Sequence, residues 1–219
     1  MSTTKTQVTY KDTWLCVLSL IYGIILALVL VDGSHDNLHF GEFFTNLTNI
    51  FCCAWLLLYA LTSVIKNKTY NNIIRNKVLV LTLVNAITIT FLIVALWLDP
   101  VWKGEWLEQG ISNNLLFTHL LSAIVMWIVF YFMKTTGKFN WKRAFICLSY
   151  PLIYFAYILI RHFIVKDTWF PYDFTDPSSS LYKGNYGIYI PVILAIASIF
   201  YGITYLLYKI KVWANPKQL

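Results

Sequence analysis

Residues 13–31 read TWLCVLSLIYGIILALVLV and contain no charged side chain. A helix of this length can cross a bilayer, because about 20 apolar residues span its hydrocarbon core. The whole chain of 219 residues has the same character, since 58% of it is apolar and only 12% is charged. A soluble domain carries about 25% charged residues. The sequence therefore predicts an integral membrane protein and argues against a soluble domain, a disordered chain or a coiled coil.

Further apolar stretches follow the first one along the chain. They are continuous, whereas the strands of a membrane β-barrel alternate between apolar and polar residues. The predicted fold is therefore all-α, a polytopic membrane protein in which residues 1–219 form a single domain, a bundle of six transmembrane helices. We expect the spans near residues 13–31, 43–65, 78–98, 114–133, 144–165 and 186–210.

Charged residues divide between the two sides of this predicted bundle. Most of the 17 Lys and Arg residues fall in the two terminal regions and in the loops 66–77 and 134–143, whereas every acidic residue except Asp12 falls on the other side. Because basic loops stay in the cytoplasm, both termini are predicted to be cytoplasmic, in the cell (plasma) membrane. The net charge of +7 then describes a basic face against anionic lipid, not a nucleic-acid partner.

The sequence predicts neither a metal site nor a cofactor. The four cysteines form no C-x-x-C pair, and no histidine stands at a spacing typical of zinc sites. We interpret these cysteines as small apolar residues that fill helix contacts. His119 and His162 do not form the matched axial pair that a haem would need.

Polar residues of the predicted helices concentrate towards the acidic side. The second helix opens with the run Thr45-Asn46-Leu47-Thr48-Asn49, in which Thr45, Thr48 and Asn49 share one helix face. Helix capping and hydrogen bonding between helices account for such residues. The alternative is a nucleophilic hydroxyl with amide donors beside it.

Two further helices carry ionisable side chains. His119 in the fourth helix is either a neutral hydrogen-bonding group or a general base. In the fifth helix Tyr150, Tyr154, Tyr157 and Arg161 are spaced to form one stripe. Arg161 extends to the headgroups, pairs with an acid, or clamps a carboxylate or phosphate of a ligand.

The segment that follows the fifth helix reads WFPYDFTDP at residues 169–177. Its two prolines and four aromatic residues predict a stiff, amphipathic lid at the membrane interface. Tyr172, Asp173 and Asp176 are its candidate binding residues, and the two acids are possible partners for the histidine or the arginine of the preceding helices. The alternative is an ordinary interfacial turn with solvated acids.

Four motifs resemble those of one known group of proteins: FTNLTN at residues 44–49, His119 early in its helix, Tyr150-Pro151, and the 169–177 segment. Together they resemble the bacterial Pr6Pr membrane-protein family. That family is distantly similar to the eukaryotic androgen-induced and androgen-dependent membrane proteins, which are intramembrane threonine hydrolases of fatty acid esters of hydroxy fatty acids. The resemblance implies that Thr45 is a nucleophile and that His119 is its base.

Two functions follow from these observations. The first is an intramembrane hydrolase or acyltransferase of lipid esters, with Asn49 or a backbone amide as oxyanion donor and Arg161 holding a substrate carboxylate. The alternative is a non-enzymatic multi-pass protein, such as a small transporter, a lipid-binding protein or a partner subunit, which uses the same pocket for binding. The expected partners are membrane lipids and a lipid-ester or fatty-acyl substrate. The predicted binding residues are Asn46, Thr48, Asn49, Tyr157, Arg161, Tyr172, Asp173 and Asp176.

Overall fold

The computed structural model describes residues 10–35, 40–97, 116–165 and 170–214, and 82% of this part is helical with no strand. A π-helical turn (Leu116–Leu121) leads into α5, and 3-10 turns lie at Phe40–Glu42 and Asp173–Thr175. The helices are α1 (Tyr10–His35), α2 (Phe44–Leu61), α3 (Lys68–Ile74), α4 (Lys77–Trp97), α5 (Ser122–Phe132), α6 (Trp141–Cys147), α7 (Ser149–Val165) and α8 (Tyr186–Ala214).

The described helices confirm an all-helical protein suited to a membrane. Four described segments are long and apolar enough to cross a bilayer, namely Thr13–His35, Phe44–Leu61, Lys142–Ile164 and Tyr186–Trp213. Two further apolar helices, Lys77–Leu92 and Leu116–Phe132, are shorter and coincide with the third and fourth predicted spans.

Helix α4 forms the centre of the bundle. It packs against α2, α5, α6, α7 and α8, while α1 packs against α2 and α5. Its sequence is apolar on every face, so its side chains are buried almost continuously from Val80 to Thr90. Helices α7 and α8 instead expose large apolar residues such as Ile153, Phe163 and Leu194. Exposed apolar surface of this extent is typical of helices that face lipid.

The structure departs from the predicted spans at two places. The fifth predicted helix, 144–165, consists of α6 and α7 with a break at Leu148. Pro151 lies in the first turn of α7, where a proline is tolerated because its missing N–H has no helical partner there. The fourth predicted helix begins with the π turn, which the apolar pattern did not predict.

The two ends of the bundle are built by different connections. At one end the loops 66–77 and 134–143 are joined, because Lys77 N–H donates to Thr136 O (2.8 Å) and Thr136 N–H donates to Arg75 O (2.7 Å). At the other end the first 3-10 turn and the 170–185 segment meet α2 and α7. We call these the Lys211 end and the Thr45 end.

Candidate functional site

The polar face of α2 is buried at the Thr45 end. Thr45, Thr48 and Asn49 are at most 6% exposed, so the shared face predicted from their spacing is confirmed. Asn46 lies beside this face, and its Nδ2 donates to Phe40 O (2.9 Å). Asn46 therefore ties the start of α2 to the preceding 3-10 turn.

The Thr45 side chain contacts the 170–185 segment. Its Oγ1 lies 3.2 Å from the Tyr172 hydroxyl, and its backbone N–H also donates to that hydroxyl (3.4 Å). The ring of Phe43 packs edge-on against Tyr172. Burial raises the pKa of Tyr172 above its ordinary value, so the phenol stays neutral and keeps a proton to donate.

Asn49 links the main chain of α2 to the π turn. Its Nδ2 donates to Thr45 O (2.9 Å) and to Thr118 O (2.8 Å), and its Oδ1 accepts from Ser122 Oγ (2.7 Å). Both amide hydrogens are therefore engaged by carbonyls, and none is left for an oxyanion. The predicted role of Asn49 as an oxyanion donor does not fit this arrangement, which makes Asn49 a connector instead.

His119 lies in the π turn and is half-buried. Its Nδ1 is 2.9 Å from Thr118 Oγ1. When Nδ1–H donates to this hydroxyl, Nε2 is the basic nitrogen of the ring. The side chains of Thr45 and His119 thus contact different neighbours, Tyr172 and Thr118, while Asn49 joins the two segments through their main chains.

Tyrosines of α7 complete the polar cluster. Thr48 Oγ1 lies 3.1 Å from the Tyr150 hydroxyl, and the Tyr154 hydroxyl donates to Glu42 O (2.8 Å). The ring of Phe44 packs between these two tyrosines, with centroids 5.2 and 5.1 Å away. Their spacing of four residues was the sequence signal for this shared face.

The ionisable residues predicted near the site have other partners. Arg161 pairs with Glu42 (Nη2–Oε2, 3.0 Å), an acid that the prediction did not single out. Asp173 is exposed in the second 3-10 turn. Asp176 Oδ1 accepts from the backbone N–H and the hydroxyl of Ser178 (2.7 and 2.6 Å), which gives this acid a local role in its turn.

Tyr157 departs from the predicted stripe on α7. Its side chain is 44% exposed, whereas the neighbouring Ile158 is only 1% exposed. An α-helix turns about 100° per residue, so a step from residue 154 to 158 stays closer to one face than a step to 157. The buried stripe therefore passes through Ile158, and Tyr157 lies outside the polar cluster.

An open apolar groove lies beside this cluster and shares Phe44, Tyr154 and Tyr172 with it. Its lining comes from α7, α8, the 170–185 segment and Phe44 of α2, and it includes Tyr172, whose hydroxyl contacts Thr45. The hydroxyls in its lining are already bonded: Tyr154 to Glu42 O, Tyr172 to Thr45, and Thr175 to Tyr172 O. The remaining lining residues are Leu148, Pro151, Leu152, Phe155, Phe174, Ile193, Ile196, Ala197 and Phe200.

The four cysteines are free and buried, as expected for apolar filling residues. Among the described residues, no group of three or more His, Cys, Asp and Glu side chains could hold a metal ion. Tyr22, Thr118 and Ser122 belong to the cluster but were not predicted as site residues. The spacing of Ser122, three residues after His119, was the available signal for one of them.

Comparisons of the chain with known protein families, curated proteins and solved structures found no match. The resemblance to the Pr6Pr family therefore stays a prediction. The chemistry of the site is inferred from its own contacts.

Proposed function

We propose that this protein is an intramembrane hydrolase or acyltransferase of lipid esters, with Thr45 as nucleophile and His119 as base. The observation that carries the proposal is the groove, because it is lined by Tyr172, whose hydroxyl lies 3.2 Å from the Thr45 hydroxyl. An ester whose acyl chain lies in this groove would bring its carbonyl to that hydroxyl. Because the groove has apolar walls and its hydroxyls are already bonded, it suits a hydrocarbon chain rather than a peptide.

In the proposed reaction the Thr45 hydroxyl attacks the carbonyl carbon of the ester, and His119 takes its proton. Tyr172 donates to the oxyanion after giving up its contact with Thr45 Oγ1. The alcohol leaves with the proton from His119, which yields an acyl ester on Thr45. Water then attacks this ester, His119 takes a proton from the water, and the carboxylic acid departs while Thr45 regains its proton.

The connection through Asn49 supports this pairing of Thr45 with His119. Its amide nitrogen lies within 2.9 Å of carbonyl oxygens on both segments, so Asn49 joins the π turn to the start of α2. Single π turns occur frequently at functional sites. The proposal requires that rotation of the His119 side chain brings Nε2 within hydrogen-bond reach of Thr45.

Covalent labelling tests the nucleophile. The purified protein is incubated with a p-nitrophenyl ester of a long-chain fatty acid, and the acyl adduct is located by mass spectrometry. We expect the adduct on Thr45 and a loss of turnover of at least about 10³-fold in Thr45→Val, which removes only the hydroxyl.

Thr204→Val is the matched control, because Thr204 is also buried in a helix and donates to a carbonyl of its own helix (Phe200 O, 3.0 Å). It should keep the turnover of the parent. Equal turnover in Thr45→Val and the parent would refute the assignment. Stable binding of the fatty acid without any turnover in the parent would instead favour the non-enzymatic, lipid-binding alternative.

The groove is tested by two substitutions on one helix. Ala197 lines the groove, whereas Ala195 is exposed on another face of α8. We expect Ala197→Trp to block the acyl chain and raise KM for long-chain esters, while short-chain esters are still turned over. Ala195→Trp should behave like the parent. Equal effects of both substitutions on KM would show that the groove does not bind the acyl chain.

We also propose that the chain crosses the plasma membrane six times, with both termini and the Lys211 end in the cytoplasm. The bonds between the loops 66–77 and 134–143 support this topology, because the charge pattern assigns both loops to one side. The bonds of the 170–185 segment to the start of α2 likewise join two parts assigned to the other side.

Thiol labelling of intact cells tests the topology. The native cysteines are buried, so a new exposed cysteine gives a clear signal. An impermeant maleimide should label Ser180→Cys in intact cells, but Lys68→Cys only after permeabilisation. The reverse result would invert the orientation.

A further inference from the structure

The helix that carries His119 departs from α geometry over the π turn, Leu116–Leu121. In a π turn each N–H bonds the carbonyl five residues back instead of four, so the turn holds one residue more. If this turn relaxed to α geometry, the residues before it would rotate by about 100° relative to α5. The direction of the His119 side chain therefore depends on what keeps this turn in place.

Side chains from three helices converge on the carbonyls of the π turn. Phe117 O accepts from the Tyr22 hydroxyl on α1 (2.7 Å) and lies 2.8 Å from Ser122 Oγ at the start of α5. Thr118 O accepts from Asn49 Nδ2 on α2 (2.8 Å). All three donor side chains are buried. In a regular α-helix these carbonyls would accept from N–H groups of the same helix. Here side chains that lie outside the turn also donate to them.

The hydroxyl protons of this cluster can be assigned from the contacts. Tyr22 and Ser122 lie 3.0 Å apart and supply one proton each. Tyr22 donates to Phe117 O, and Ser122 donates to Asn49 Oδ1 (2.7 Å). Asn49 then gives its two hydrogens to Thr45 O and Thr118 O. This arrangement satisfies Tyr22, Ser122 and Asn49 with no spare proton, so loss of any member leaves a buried polar group unpaired.

We propose that Tyr22, Asn49 and Ser122 are positioning residues that hold the π turn and thereby direct His119 towards Thr45. The catalytic consequence rests on the proposed function, whereas the effect on the geometry of His119 does not. Removing a hydroxyl from the cluster should let the turn relax to α geometry and move the His119 ring.

The experiment follows the ring nitrogens of His119 by NMR in the full-length protein, with labelled histidine and the His119→Gln variant for assignment. We expect Ser122→Ala and Tyr22→Phe to shift the His119 signals and to lower ester turnover at least about 10-fold each. Both variants remove a single oxygen, and thermal unfolding checks that each is folded.

Matched controls remove the same groups elsewhere. Ser198 donates to Leu194 O in an exposed part of α8, and the Tyr70 hydroxyl donates to Leu58 O. Ser198→Ala and Tyr70→Phe should leave the His119 signals unchanged. Unchanged His119 signals in folded Ser122→Ala and Tyr22→Phe would overturn the positioning role. Shifted signals in a protein that hydrolyses no ester would support it and reject the proposed function alone.

Discussion

The two ends of the bundle bury polar groups for different reasons. At the Lys211 end, the ammonium of Lys211 donates to Phe130 O, Tyr131 O (3.3 Å) and Met133 O (2.7 Å), carbonyls that lie at the end of α5. Carbonyls at a helix end lack partners in their own helix, so this cation meets a need of the fold. At the Thr45 end, the Tyr172 hydroxyl also meets a helix end, because it accepts from the Thr45 N–H in the first turn of α2. Its contact with the Thr45 hydroxyl (3.2 Å), however, satisfies no backbone group of a helix end. Buried polar side chains that the fold does not need indicate a candidate functional site.

Removal of the Lys211 ammonium should have the largest effect on stability. Lys211→Met keeps the length of the side chain but leaves buried carbonyls unpaired, and each unpaired group costs about 1–3 kcal/mol. We expect the free energy of unfolding to fall by about 3 kcal/mol in a denaturant titration in micelles, with ester turnover per folded molecule unchanged.

Lys209→Met is the control for this substitution. Lys209 lies two residues earlier on α8, exposed and over the ring of Tyr205. Its loss should change the free energy of unfolding by less than about 0.5 kcal/mol. A marked loss of turnover in Lys211→Met would break the comparison, because the two ends would then be functionally coupled.

At the Thr45 end, Thr118→Val should affect turnover more than stability. The substitution preserves shape but removes the oxygen that contacts His119 Nδ1. The ring loses the partner that fixes its tautomer, so we expect kcat to fall about 10-fold, equivalent to about 1.4 kcal/mol in activation free energy. The pH profile of kcat should change as well.

Thr90→Val serves as the reference, since Thr90 is equally buried and donates to Ile87 O within α4. Its kcat should match that of the parent. Identical kcat values for the parent and Thr118→Val would show that this contact does not orient a catalytic base.

Local patterns predicted the helices and the buried face of Thr45, Thr48 and Asn49, because periodicity is a property of neighbouring residues. The π turn could not be predicted in this way. It depends on Tyr22 and Asn49, which lie on other helices and meet Phe117 and Thr118 only in the folded chain. Pairing of Arg161 with an acid was one predicted alternative, but Glu42 could not be singled out for the same reason, since several acids were equally available in the sequence.

Between the two ends, Asn85 is a polar residue whose loss should stabilise the protein. Both of its side-chain polar atoms are buried without a hydrogen-bond partner among the described residues. Asn85→Leu has a similar shape and removes this unpaired polarity, so we expect the free energy of unfolding to rise by about 1 kcal/mol.

Thr88, one turn later on α4, should give the opposite sign. Its hydroxyl accepts from Trp127 Nε1 (2.8 Å), so Thr88→Val leaves a buried donor unpaired and should lower the free energy of unfolding by about 1 kcal/mol. Paired thermal unfolding measurements compare the two variants. A destabilised Asn85→Leu would mean that Asn85 holds a group, such as a water molecule, that the fold requires.

The smallest effect is expected for the ion pair at the Thr45 end. Arg161 and Glu42 are only 12% and 18% exposed, so solvent screens their attraction little, but Glu42→Gln retains an oxygen that can accept from Arg161. Because the amide oxygen keeps the hydrogen bond, we expect the free energy of unfolding to change by less than about 1 kcal/mol, and the difference should depend only weakly on salt. The same variant also tests whether Arg161 binds substrate. A neutral partner frees the guanidinium for a carboxylate on the lipid, so KM for esters that carry such a group should fall while KM for uncharged esters stays the same. An equal KM change for both classes of ester would assign the pair to the fold, like the cation at the opposite end.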